Sequence, residues 1–134
     1  MVKKYNLNIL KNNKEAIDII SYLARIRFNG LSRNEKLKDN TSIKKKDINA
    51  YCKEYGFATV DGIYKELGKN RTRTRKILND FVKEGLVEKE EISIVKGRLK
   101  KYMYKINSNI IMNILNLPDE DKELLKDCID YLNS

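Results

Sequence analysis

Histidine is absent from this sequence, and cysteine occurs only twice. Without imidazole there is no histidine general base, and half of the usual zinc ligand set is missing. The two cysteines, Cys52 and Cys128, fit no ligand spacing. Both fall on apolar helical stripes, so they read as buried, reduced thiols. No uncharged stretch approaches the ~20 residues of a membrane span, and the polar N-terminus has no signal-peptide core. A cytoplasmic protein is the expectation, with no membrane partner. There is no phosphate-cradling glycine loop, no nucleophile–base arrangement and no pair of carboxylates outside exposed helical runs. Catalytic residues, cofactors and metal ligands are therefore all expected to be none.

Acid is also missing, from two short stretches. Between Lys69 and Lys76 there are five basic residues and no acid, and the same holds from Lys96 to Lys105. The whole chain carries a formal charge of +9 and a sequence pI of about 9.5. Residues after Asn116 hold six acids and two lysines, a net of −4, so residues 1–116 carry +13. A surplus of that size points to a polyanionic partner, nucleic acid ahead of membrane. With 134 residues, 41% of them hydrophobic, the chain reads as a single domain, 1–134, with a modest core.

The basic stretch from Lys69 lies inside the segment that organises the chain, Ile63 to Glu88. Ile63 and Leu67 share one face of a short helix. Gly68 ends it, and Asn70 is a good N-cap for the next. From there Thr74, Ile77, Leu78, Phe81 and Val82 form one stripe at helical spacing. The first turn and opposite face carry Lys69, Arg71, Thr72, Arg73, Arg75, Lys76 and Asn79.

Leu67, Gly68, Asn70, Arg71 and Thr72, followed by the exit Lys83-Glu84-Gly85-Leu86-Val87-Glu88, resemble the winged helix-turn-helix family of DNA-binding proteins. The resemblance covers roughly residues 47–107. Two positions depart from it, since the family usually has a small apolar residue at Lys69 and at Thr74. The resemblance implies a fold that is mainly α with a small β-hairpin wing, here a winged helix-turn-helix with added N- and C-terminal helices. It also implies that the second helix of the pair enters the major groove with its N-terminal residues on the base edges.

Elsewhere the chain falls into recognisable pieces. Residues 1–13 are polar around Leu7, Ile9 and Leu10, an extended or frayed stretch. Asn13 caps an N-terminal helix, 14–28, that is apolar nearly all round. Its extra cover comes either from its own chain or from a second subunit. Residues 29–46 read as a long loop with lysines at 44–46. Asp47 can cap a helix through Ile48, Tyr51, Cys52 and Tyr55, ended by Gly56. Phe57 and Ala58 suffice for a minimal strand, and Thr59 caps the next helix. After Gly85 the period changes to strand: Glu90–Val95 and Leu99–Ile106 flank a hairpin tip at Lys96-Gly97-Arg98. In residues 108–134, Ser108 caps a short helix. Pro118 then opens another, with Leu124, Leu125, Cys128, Ile129 and Leu132 on one face and acids in its first turn.

These readings combine into an expected binder of double-stranded DNA. Its interface comprises Asn70, Arg71, Thr72, Arg73, Arg75, Lys76 and Asn79 on the helix, and Lys96, Arg98, Lys100 and Lys101 on the wing. A homodimer is expected through Ile19, Leu23 and Ile26, with Leu125 and Ile129 contributing. Small proteins resembling this family are mostly transcriptional repressors. The architecture is also similar to the TubR-type centromere-binding adaptors of phage and plasmid partition, which implies a tubulin-like filament protein as a further partner. The alternative is a winged-helix protein–protein adaptor that binds no DNA.

Overall fold

The computed structural model describes residues 6–30, 48–94, 99–113 and 116–132. Within them the protein is mainly helical, with one small antiparallel hairpin. Of the expected loop 29–46, residues 29 and 30 extend the first helix, while 31–46, the Asp47 cap and the hairpin tip at 95–98 lie outside the described residues.

Leu7 and Leu10 enter the core from a single turn of 3-10 helix, Asn8–Leu10, where the sequence suggested extended chain. Asn13 then caps α1 (Lys14–Gly30), its side chain accepting a hydrogen bond from the Ala16 amide at 3.1 Å. Helix α1 is the hub. It packs against the 3-10 turn, α2 (Ile48–Glu54), α3 (Val60–Leu67), strand β2 (Leu99–Ile106) and α7 (Lys126–Leu132). Ala16, Ile19, Ile20, Tyr22, Leu23, Ala24 and Ile26 are all buried. That ring of neighbours answers why α1 is apolar nearly all round.

Most of the residues expected at a dimer interface lie within the chain's own core. Ile19, Leu23, Ile26 and Leu125 are covered by their own chain, and none is more than 7% exposed. Side chains already buried in one subunit gain nothing by meeting a second. Only Ile129 of the five is partly open. Self-association would have to use other surfaces.

Helix α3 leads through a tight turn into α4 (Arg71–Lys83), and α4 into strand β1 (Val87–Ile94). Strand β1 begins at Val87, earlier than the expected Glu90, because Val87 pairs with Ile106 at the base of the hairpin. Both residues are buried, so the core decides where pairing starts. Ala58 makes a one-residue bridge to Tyr104, its amide and carbonyl bonding at 2.8 and 2.7 Å. Strand β2 separates two apolar clusters. Tyr104 and Ile106 face the main core, while Met103 joins Ile48, Cys52 and Phe57 in a smaller one.

The C-terminal segment differs from expectation in two places. Asn107, not Ser108, caps α5 (Ser108–Met112), accepting from the Asn109 amide at 3.0 Å. The same side chain donates to the Gly85 carbonyl at 3.2 Å, so the cap also ties the end of the hairpin to its start. The expected last helix is two, α6 (Asp119–Leu124) and α7, which meet at Leu125. The Leu125 amide is shared between the Asp121 and Lys122 carbonyls, and the helix breaks there. Leu125 and Cys128 pack into the core, and the Cys128 Sγ lies 3.7 Å from Ser21 Oγ on α1. Burial pushes both cysteine thiols up, Cys52 to about 12, as expected for buried reduced thiols. Among the described residues no helix is long and apolar enough to cross a membrane.

Candidate nucleic-acid interface

The α3–α4 turn is built by local caps that the sequence names. Thr59 caps α3, accepting from the Gly62 amide at 3.1 Å and donating to Asn49. Gly68 ends α3 in the left-handed region at φ 64°. Asn70 caps α4 by accepting from the Arg73 amide at 3.0 Å. A Cβ at residue 68 would meet nothing within 4 Å, so only the backbone conformation resists substitution there. Gly68→Ala should therefore cost roughly 1 kcal/mol and lower the thermal midpoint by roughly 4 °C. Calorimetry checks this; a change below one degree would mean that the turn relaxes freely.

The two positions that depart from the family pattern find structural partners. Lys69 pairs with Asp18 of α1 at 2.8 Å, which fastens the turn to the hub helix. Thr74 is buried, and its hydroxyl donates to the Asn70 carbonyl at 2.8 Å, so its polar atom is satisfied.

Helix α4 is divided lengthwise. Thr74, Ile77, Leu78 and Phe81 are buried, while Arg71, Thr72, Arg73, Arg75, Lys76 and Asn79 are exposed. The exposed cations are not equivalent. Arg73 reaches Glu15 at 3.3 Å, and Arg71 reaches Asp61 at 3.3 Å. Arg75 and Lys76 have no acid within ion-pair distance among the described residues.

Of the hairpin residues assigned to the interface, Lys101 is the one whose side chain is described. It pairs with Asp61 at 3.2 Å. Lys96 and Arg98 lie outside the described residues, and Lys100 is described only in its backbone pairing with Ser93. Lys105 turns inward, lying within 3.6 Å of Glu88 and Glu90 and over the Phe57 ring, so those two acids have a cation of their own.

Between α4 and the hairpin lies an open cavity of about 390 Å³. Arg71, Arg75, Lys89 and Lys101 bring four cations to its wall, against the single acid Asp61. Burial raises the Asp61 carboxyl, but Lys101, Arg71 and Lys65 outweigh it and hold the group below its ordinary range. Tyr102, 49% exposed, forms part of the wall with the Lys89 ammonium 4.1 Å from its ring centre. Asp61 and Lys89 escape a reading of the sequence alone. Lys89 stands among Glu88, Glu90 and Glu91, and only its pairing with Tyr104 brings it to the cavity side. Alternation along β1 was the available signal, since it separates Lys89 from Glu88 and Glu90.

No family model, curated protein or solved structure matches this chain.

Proposed function

We propose that the protein binds double-stranded DNA as a winged helix-turn-helix, with α4 as recognition helix and the β1–β2 hairpin as wing. One observation carries this reading. The acid-free exposed face of α4 continues, through a cavity with four cations to one acid, onto one side of the hairpin. A solvated helix face requires no such continuity across two elements, whereas a strand of phosphates does. A small domain that only docks on protein would gain little by gathering like charges there.

Within the reading, the side chains divide their labour. Arg75 and Lys76, unpaired by acid and facing outward, suit base edges, where a bidentate arginine on guanine discriminates by roughly 1–3 kcal/mol. Arg71 and Lys101 flank the cavity and suit the phosphate backbone, which positions without specifying. The first test is selection of a preferred duplex from a random pool, then anisotropy titration of selected and scrambled duplexes. Arg75→Ala and Lys76→Ala should erode the preference between the two. Lys101→Ala should weaken both duplexes by similar factors. Failure to retain any duplex from the pool would defeat the reading and leave the protein–protein adaptor as its replacement.

A further inference from the structure

Asp61 sits where an anion is wanted. It is a carboxylate on α3, outside the basic face of α4, yet its two oxygens meet cations from two different elements: Arg71 Nε at 3.3 Å and Lys101 Nζ at 3.2 Å. Arg75 and Lys89 line the same cavity and have no acid within ion-pair distance among the described residues. One negative charge thus faces four positive ones. The space is roomier than a carboxylate needs, and the exposed ring of Tyr102 gives its wall an apolar face.

We propose that this cavity is a phosphate site and that Asp61 is its resident anion, which holds Arg71 and Lys101 in place until a backbone phosphate of the duplex takes over those contacts. The inference rests on the DNA-binding reading above. It goes further in naming a carboxylate that restrains binding. In the free protein Asp61 keeps Lys101 directed at α3, so that strand β2 and the start of α4 share one counter-charge. A phosphodiester in the cavity brings oxygens that match the guanidinium and ammonium groups better than one carboxylate shared between them. Because the Asp61 charge persists beside the bound phosphate, it opposes binding at every duplex sequence alike. It therefore lowers affinity for DNA in general, and the contribution of base reading to the total grows. Tyr102 offers the adjoining sugar a surface to rest on.

The decisive variant is Asp61→Asn, compared with Glu120→Gln, which makes the same change in net charge on the exposed first turn of α6. Asp61→Asn should bind scrambled duplex roughly tenfold more tightly, and its log–log salt slope should steepen by about 0.9, the contribution of one more neutralised phosphate. Glu120→Gln should match the unaltered protein. Equal behaviour of the two variants overturns the proposal. The unaltered protein supplies a second measurement that needs no substitution: the carboxyl-carbon resonance of Asp61 and the ammonium resonance of Lys101, followed by NMR during titration with duplex and with tripolyphosphate. Both resonances should move on duplex binding. If duplex binds and the Asp61 resonance stays still, the phosphate site is wrong while DNA binding stands. If tripolyphosphate moves both resonances and no duplex binds, the site stands as one for free phosphates and the DNA reading falls.

Discussion

Between about 50 and 200 mM salt, affinity for a duplex should fall by roughly 10²-fold, because about four phosphates at ~0.9 each give a log–log slope near −3.6. The count comes from Arg71, Arg73, Lys89 and Lys101, the cations on the exposed face of α4 and on the cavity wall that are not assigned to base edges. Each phosphate neutralised releases condensed counterions, and added salt opposes that release. Arg71, Arg73 and Lys101 already have acid partners at 3.2–3.3 Å, so part of their charge is balanced before DNA arrives. The exposed Arg73–Glu15 pair is worth little and is itself screened, while the half-buried Asp61 balances Arg71 and Lys101 with one charge between them. These pairs therefore trim the slope and do not abolish it. Anisotropy titrations at several salt concentrations measure the slope directly. A flat profile would remove phosphate from the interface, and with it the proposed function.

What the sequence makes legible in this protein is what neighbours along the chain decide. Thr59, Gly68 and Asn70 act within three or four residues of themselves, so their caps can be read without the fold. The stripe Thr74, Ile77, Leu78, Phe81 and Val82 is equally local; the first four side chains are buried and Val82 is partly buried. The basic face opposite follows from the same periodicity. Strand β2 is legible from its alternation, from Leu99 to Ile106.

The rest depends on partners distant in sequence. Asp61 gives no sign that it will meet Lys101, because only the packing of the hairpin against α3 and α4 brings them together. Lys69 looks like a departure until Asp18 of α1 is placed beside it. The cap of α5 shifts from Ser108 to Asn107 because Asn107 also reaches Gly85, a contact set by the closed hairpin. For α1, periodicity measures how much apolar surface there is and says nothing about who covers it. Five elements of the same chain do so, which a count of apolar residues could not distinguish from a second subunit.

That difference sets the outcome expected for Ile19→Glu. Were Ile19 at a subunit interface, the substitution would yield a folded monomer. Its side chain is 0% exposed within a single chain, at the helix on which β2, α2, α3 and α7 all pack. A glutamate there loses the apolar contacts of isoleucine and must either bury a charge or neutralise it. An unpaired polar group in such a place costs several kcal/mol, and an ionised one more. A domain of this size has only about 5–15 kcal/mol in hand. Ile19→Glu should therefore abolish cooperative unfolding and strip most helical signal from the circular dichroism spectrum, and the proposed DNA binding should be lost with the fold. Ile129→Glu, on the partly open face of α7, should keep the fold. Circular dichroism with sedimentation of both variants separates the two cases. A well-folded Ile19→Glu monomer beside a dimeric unaltered protein would restore the interface to α1 and refute the packing described here.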